Sequence, residues 1–193
     1  MKKRTVFIGA ILSLISLGQP LIIKNGAVLS TTRFLLFVPE KVYAGDNSYY
    51  FDRAFEKGEN GDYYGAISDY TKAIEINPND SRAYYNRGNS KRILKDYYGA
   101  ISDYTKAIDI NPNYENAYIN RGISKRNLKD YYGAISDYNK ALEIDPTDKD
   151  SYINRSISKE KIGDISGACF DARKAVSLGD NDPGNNNWIM DNC

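Results

Sequence analysis

The sequence DYYGAISDYTKAI, residues 62–74, decides the fold of this chain because it occurs more than once. It returns unchanged at residues 96–108, and again with two substitutions at residues 130–142. In each copy, apolar side chains recur at steps of three and four residues, which places them on one face of an α-helix. The stretch therefore predicts an amphipathic helix that the chain uses repeatedly.

The spacing of the copies defines a unit of 34 residues. Pro78, Pro112 and Pro146 follow the three copies at intervals of 34 residues. Residues 81–114 and 115–148 are identical at 23 of 34 positions, far more than shared helical composition would produce. Self-similarity at such a period is the signature of a repeat architecture.

Each unit divides into two helical patterns. In the third unit these are residues 116–128 and 131–144, separated by Lys129 and Asp130. An aspartate at this point accepts hydrogen bonds from the first free amides of the second helix, and the proline beyond that helix ends it. A helix of about 14 residues is marginal alone, so the hairpins must stack to bury their apolar stripes.

These features resemble the tetratricopeptide repeat family, in the bacterial type with an export signal. Its bulky aromatic at position 4 of the unit corresponds to Tyr50, Tyr84, Tyr118 and Tyr152. Its small residue at position 8 corresponds to Ala54, Gly88, Gly122 and Ser156, facing Ala66, Ala100, Ala134 and Ala168. Two departures are Lys57, Lys91, Lys125 and Lys159 in place of an aromatic, and Ala172 in place of a tyrosine.

The resemblance implies an all-α, right-handed α-solenoid of four helix-turn-helix hairpins, with eight antiparallel helices over residues 47–180. The predicted units are residues 47–80, 81–114, 115–148 and the divergent 149–180. Residues 182–193, which include Trp188 and Ile189, are predicted to form a short capping helix, because the end of a solenoid must cover its apolar face.

The N-terminal 44 residues differ from the repeats. Met1 is followed by three basic residues and then by an almost wholly apolar run, the layout of a secretory signal. The uncharged stretch of residues 5–23 is also just long enough for an uncleaved membrane anchor. Both interpretations predict export across the inner membrane, to a periplasmic, lumenal or secreted location, with membrane contact only through this segment.

Composition argues against several functions. Six of the 26 basic residues and one of the 25 acidic residues lie in residues 1–44, so the remainder carries 20 against 24. A domain of that sign lacks the basic surface that nucleic acids require. The chain has no histidine, the commonest general base and metal ligand, and no phosphate-binding loop or nucleophile motif. We therefore expect no catalytic residues, cofactor, metal or small-molecule substrate.

The family resemblance places the first helix of each unit on a concave surface. Asn86, Asn120 and Asn154 recur there and resemble the asparagines that grip the backbone of an extended peptide in some members. A carboxamide suits that role because it both donates and accepts hydrogen bonds. The alternative is that these asparagines solvate the groove or bond to a neighbouring helix. Further candidates for the groove wall are Phe51, Phe55, Tyr85, Asn89, Ile119, Ile123, Ile153 and Ile157.

A second pair of ladders is charged. Arginines recur at position 7 and aspartates at position 23 of every unit, namely Arg53, Arg87, Arg121 and Arg155 with Asp69, Asp103, Asp137 and Asp171. Ion pairs between helices are favoured over an anion site, because the acids are as numerous as the arginines. The sequence does not specify which arginine meets which aspartate.

The only cysteines are Cys169 and Cys193, which form a free thiol pair, a metal site or a disulfide. Two sulfurs without histidine make a poor zinc site, and export favours oxidation to a disulfide.

The leading hypothesis for the whole chain is a non-enzymatic scaffold that binds a peptide or partner protein in its concave groove. The alternative is a structural or assembly protein that acts by self-association.

Overall fold

The computed structural model describes residues 46–193, apart from the side chain of Asn185, and the predicted export segment lies outside this range. The described residues contain nine α-helices and no strand. The first helices of the four units are α1 (Asn47–Glu59), α3 (Ser81–Ile93), α5 (Glu115–Asn127) and α7 (Lys149–Lys161). The second helices are α2 (Tyr63–Ile76), α4 (Tyr97–Ile110), α6 (Tyr131–Ile144) and α8 (Ile165–Ser177), and α9 (Pro183–Asn192) follows them. Consecutive helices pack on one another, so the predicted all-α solenoid is confirmed.

An aspartate at the N-cap position precedes almost every helix. As predicted, Asp62, Asp96, Asp130 and Asp164 cap the second helices, each accepting from the amide of the glycine three residues later at 2.9–3.0 Å. The first helices have caps that the sequence pattern did not indicate, since Asp46, Asp80 and Asp148 accept from α1, α3 and α7. Among the described first helices, α5 differs, because Tyr114 precedes it and makes no capping bond.

The turn inside each hairpin needs a left-handed backbone. Gly61 and Gly163 adopt φ of 81° and 83°, and Lys95 and Lys129 adopt φ of 64° at the equivalent positions. A residue with a Cβ strains this conformation, whereas glycine adopts it freely. The second and third units therefore carry a small strain that the first and fourth avoid.

Small residues let the two helices of a hairpin approach closely. A Cβ added to Gly88 would lie 2.8 Å from the Tyr104 ring, and one added to Gly122 would lie 2.7 Å from the Tyr138 ring. Both tyrosines are fully buried. The tyrosine rings thus occupy the space that glycine leaves on the facing helix, and any larger residue there would displace them.

The structure supplies the register of the charged ladders. Each arginine meets the aspartate 16 residues later, and its Nε and Nη2 donate to both carboxylate oxygens at 2.6–3.0 Å. The lysine four residues after the arginine lies 2.7–2.8 Å from the same carboxylate. The lysines that replace the family's aromatic are therefore the second cations of a buried cluster.

The same arginines also join consecutive units. Nη1 of Arg87 donates to Oγ1 of Thr71 in the preceding unit at 3.0 Å, and Arg121 does the same to Thr105. Because one guanidinium bonds to two units, it links the packing within a hairpin to the packing between hairpins.

Contacts between alternate helices define the curvature. Within residues 46–193, α1 contacts α3, α3 contacts α5 and α5 contacts α7, whereas no such contact joins α2 to α4, α4 to α6 or α6 to α8. The first helices are therefore closer together than the second helices. They form the inner, concave row of the solenoid, and the second helices form the outer row.

The C-terminal helix packs on α8. Cys169 of α8 and Cys193, just beyond α9, are joined by a disulfide with a Cα–Cα distance of 5.7 Å, within the ~7 Å that such a bond can span. Nη2 of Arg173 donates to the carbonyl oxygen of Cys193 at 2.9 Å. The capping helix is therefore held to the last hairpin at its far end.

Candidate functional site

The inner row presents one apolar stripe along the first helices. Positions 5 and 9 of each unit lie one helical turn apart on the same face. They hold Phe51, Phe55, Tyr85, Asn89, Ile119, Ile123, Ile153 and Ile157. Phe55 is 52% exposed, and the others are half-buried. Each of the four isoleucines is therefore partly covered by neighbouring side chains.

Aromatic rings dominate the part of this stripe that belongs to the first two units. The Phe51 ring meets Tyr70 edge-on at 5.5 Å, and the Arg82 guanidinium lies 5.1 Å from the Phe51 ring centre. The Tyr85 ring lies 4.8 Å from that of Tyr114. Tyr114, which fails to cap α5, thus contributes to the aromatic wall instead.

The middle of the stripe contains a hydrogen-bond network. Nδ2 of Asn120 donates to the Tyr85 hydroxyl at 3.0 Å and to Oδ1 of Asn89 at 2.9 Å. The Tyr104 hydroxyl donates to the same Asn89 oxygen at 2.8 Å. Both amide hydrogens of Asn120 are therefore engaged inside the protein, and this asparagine helps to hold the second and third units together.

The network is absent one unit later, because isoleucines replace both residues that accept from Asn120, and Ile119 stands where Tyr85 stands in the preceding unit. Ile123 stands where Asn89 stands in the preceding unit, so no carboxamide accepts from the next unit. Asn154 turns to its own helix and donates to the carbonyl oxygen of Asp150 at 2.8 Å. The Tyr138 hydroxyl is buried, and no described residue forms a hydrogen bond with it.

The charge of the stripe changes along its length. Arg92 and Arg126 occupy position 12, one further turn along the same face, and the fourth unit has Glu160 there. Within the described chain, no carboxylate forms an ion pair with either arginine. Position 12 of the inner row is therefore basic in the second and third units and acidic in the fourth.

A cavity of about 200 Å³ lies at the C-terminal end of the inner row. Ile153 and Ile157 of α7 form one wall, Ala172 of α8 forms the floor, and Trp188 of α9 forms a further wall. The remaining lining residues are Ser156, Glu160, Asp180 and Gly184. The capping helix therefore helps to enclose this cavity.

Models of protein families match most of the repeat region. The tetratricopeptide repeat model matches residues 81–114 and 115–148, and a second model of the same repeat matches residues 59–92. The matched residues, 59–148, are tetratricopeptide repeats.

Solved tetratricopeptide repeat structures share the fold. A crystal structure of MamA superposes with a TM-score of 0.70 at 22% identity, covering 72% of this chain and 81% of that one. The first such domain of Spaghetti (RPAP3), bound to the HSP90 peptide SRMEEVD, gives 0.60 at 24% identity, covering 62% and 95%. The domain of Arabidopsis OM64 gives 0.59 at 24% identity, covering 61% and 97%. A search of curated protein sequences finds no match.

The sequence predicted the apolar residues of the inner face but not its charged residues. The predicted wall residues lie on one face of the first helices. Arg92, Arg126 and Glu160 were missed, although their recurrence at position 12 was a usable signal. Ala172 was noted only as a departure, and its pairing with Trp188 depends on where α9 folds.

Two further properties bear on the site. No helix between residues 46 and 193 is both long and apolar enough to cross a membrane. No group of three or more cysteine or carboxylate side chains in that part of the chain is placed to hold a metal ion.

Proposed function

We propose that this chain is a non-enzymatic scaffold that binds a peptide or a partner protein in its concave groove. The tetratricopeptide repeat fold is in general a protein-interaction fold, and the RPAP3 domain is seen with a peptide bound. The observation that carries the proposal is the apolar stripe of the inner row. It runs through all four units, and Phe55 leaves half of its surface in water. Exposed apolar surface of this kind is typical of interaction sites.

Polar groups beside the stripe suit an extended peptide. Asn86 and Asn154 lie at position 6, next to the apolar side chains, and the Asn154 amide bonds only locally, to Asp150 of its own helix. A peptide unit offers one donor and one acceptor, which a carboxamide can match. Each such hydrogen bond adds only ~0.5–1.5 kcal/mol, so the apolar contacts supply most of the affinity.

The test compares partner capture by matched variants. The double variant Asn86→Ala/Asn154→Ala spares the Asn120 network, and Ile119→Lys places a charge in the stripe. Both should keep a melting temperature close to that of the parent and lose partners that the parent captures from the producing organism. Tyr98→Ser, on the outer row, is the control and should keep them. Partners retained by both inner-face variants would refute binding in the groove.

The absence of catalysis rests on the side chains available. The chain has no histidine, and the buried aspartates Asp69, Asp103, Asp137 and Asp171 are each neutralised by an arginine and a lysine. The arginine and the lysine occupy the carboxylate oxygens that a general base would need for a substrate proton.

Export is part of the proposal. The basic and then apolar N-terminus supports it, and so does the disulfide between Cys169 and Cys193, since such bonds persist in oxidising compartments. Fractionation of the producing cells, with thiol alkylation before lysis, tests this. A cytosolic protein with two alkylated cysteines would contradict export.

A self-assembly scaffold is the second candidate, and the outer row favours it. Tyr64, Tyr98 and Tyr132 occupy the same position in three successive units and are 75%, 76% and 73% exposed. Large exposed rings in register offer a surface on which copies of the chain can pack. Sedimentation of the purified chain distinguishes the two: a monomer favours groove binding, and oligomers that Tyr98→Ser dissociates favour assembly.

A further inference from the structure

We propose that the cavity beneath α9 is an anchor pocket for one phenylalanine-sized side chain of the partner, in a peptide that carries a lysine or arginine next to it. The inference rests on the proposed groove function and makes it more specific, because it assigns both a position in the groove and a chemistry for the partner.

The pocket exists because the fourth unit lacks a tyrosine. Tyr70, Tyr104 and Tyr138 fill the equivalent space in the first three units, and Ala172 leaves it open. The facing residue changes as well. Gly88 and Gly122 have no room for a Cβ because a tyrosine ring lies against them, whereas the fourth unit has Ser156 at that position. In the first unit Ala54 occupies that position beside the buried Tyr70, so the ring site is open in the fourth unit because Ala172 replaces the tyrosine.

The capping helix closes this site without filling it. Trp188 and Gly184 of α9 line the cavity, whose volume is about 200 Å³. An apolar cavity of ~150 Å³ is enough to bind benzene. The pocket is therefore large enough for a side chain that ends in a phenyl ring.

The apolar part of the lining offers contacts to an apolar occupant. Ile153, Ile157, Ala172 and Trp188 form this part, beside the polar Ser156, Glu160 and Asp180. The Ser156 hydroxyl already donates to the carbonyl oxygen of Ala168 at 3.0 Å, so it does not require a polar partner from the ligand. An apolar ring buried here gains free energy in proportion to the area that it removes from water.

The charge at the pocket selects the neighbouring residue. Glu160 lines the cavity, where the two preceding units carry Arg92 and Arg126 at the equivalent position. Among the described residues, its carboxylate forms an ion pair with the adjacent Lys161 alone, at 3.5 Å, and such an exposed pair has little strength. A cation on the partner can therefore approach Glu160, whereas an acidic residue would be repelled there and drawn towards the middle of the groove.

The test uses the full chain and a displayed library of random heptapeptides. We expect enrichment of sequences with phenylalanine beside lysine or arginine. One enriched peptide is then synthesised and titrated. Ala172→Tyr, which restores the residue of the other units, should weaken its binding at least tenfold. Trp188→Ala, which removes a wall without filling the space, should also weaken it. Glu160→Arg should shift the selected preference from basic to acidic neighbours, and Arg126→Glu is the matched charge control and should keep the basic preference.

The outcomes distinguish loss of folding, failure of the pocket proposal and failure of groove binding. A helical circular dichroism spectrum for each variant establishes that lost binding is not lost folding, and Trp188→Ala replaces Ala172→Tyr if the latter is overpacked. Unchanged affinity in both variants, with binding lost in Ile119→Lys, would overturn the pocket and leave groove binding intact. Affinity unchanged in all three would overturn groove binding as well. A library without enrichment of apolar-basic sequences would overturn the pocket.

Discussion

The Tyr104 hydroxyl donates a 2.8 Å hydrogen bond to Oδ1 of Asn89, and this bond has no counterpart in the next unit. There Tyr138 is equally buried, but Ile123 replaces the asparagine and no described residue bonds the hydroxyl. Burial raises the pKa of both tyrosines, so both hydroxyls stay protonated and need an acceptor. The equivalent tyrosines of two nearly identical units therefore differ, because one hydroxyl is hydrogen-bonded and the other has no partner among the described residues.

This difference predicts opposite effects of one substitution. Tyr104→Phe should cost about 1 kcal/mol of unfolding free energy, because it removes a satisfied hydrogen bond and leaves Asn89 with a single donor. Tyr138→Phe should be neutral or stabilising by up to ~1 kcal/mol, since it deletes a buried hydroxyl that has no partner. Urea unfolding of the two variants in parallel measures both. Equal destabilisation would mean that the Tyr138 hydroxyl is bonded in solution.

The left-handed lysines predict a simple gain in stability. Lys95→Gly and Lys129→Gly should each stabilise the protein by about 0.5–1 kcal/mol. Glycine relieves a left-handed backbone strain of ~1–2 kcal/mol, but it also increases the entropy of the unfolded chain, which costs ~0.4–1 kcal/mol. Lys106→Gly, inside α4, is the control and should destabilise by about 1 kcal/mol. Urea midpoints report all three. A loss of stability at Lys95 and Lys129 would show that their side chains make stabilising contacts.

The cluster around Asp69 predicts how stability depends on pH. Burial acts to raise the pKa of this carboxyl, but hydrogen bonds and charges from Arg53 and Lys57 outweigh it and hold the pKa below the usual 3.8. Since the folded pKa is depressed, the contribution to stability is complete above the unfolded value of ~3.9 and is lost as the pH falls through the folded pKa.

Asp69→Asn tests this dependence. It should lower the unfolding free energy by about 1.5–3 kcal/mol at pH 7, because hydrogen bonds between charged groups are lost. The difference from the parent should shrink as the pH falls below about 4. Glu75→Gln, on the exposed side of the same helix, is the control and should change little. A difference that is constant from pH 7 to pH 3 would contradict the assignment.

The disulfide predicts a local effect of reduction. Closing a loop over 24 residues of sequence separation is worth about 3 kcal/mol in the chain-entropy model. Because the units of a solenoid interact mainly with their neighbours, reduction or Cys193→Ser should speed hydrogen exchange in α9. Protection in α4 and α6 should persist. Two titratable thiols in the unreduced protein, or a uniform loss of protection, would be the contrary result.

Sequence reasoning found the local features of the fold because local rules govern them. The residues of α6 were predicted without error as 131–144, and α5 begins one residue earlier than its predicted start at 116. The caps at Asp62, Asp96, Asp130 and Asp164 follow from a rule about adjacent amides. The same rule applies to the caps of the first helices at Asp46, Asp80 and Asp148. These caps were not predicted because Tyr114 stands at the equivalent position before α5, so the aspartate does not recur in every unit.

The roles of the groove asparagines could not be read from their spacing. Asn120 and Asn154 are equivalent in sequence, yet one bonds to the preceding unit and the other to its own helix. The difference arises because Tyr85 and Asn89 accept from Asn120 across a unit boundary, whereas the corresponding residues for Asn154 are Ile119 and Ile123. A periodic pattern describes positions within a unit, whereas a hydrogen bond depends on the pair that meets between units.

The sequence by itself determined the helices, the caps of the second helices and the 34-residue stacking unit, because helix periodicity, capping and proline act over a few residues. Only the tertiary structure decided which arginine meets which aspartate, which hydroxyl lacks a partner and where a cavity remains. Asp69 joins Arg53 and Lys57 from another helix, and Ala172 becomes a pocket only because Trp188 folds across it. These features depend on the distances between side chains that are far apart in the sequence, and the packing of the helices sets those distances.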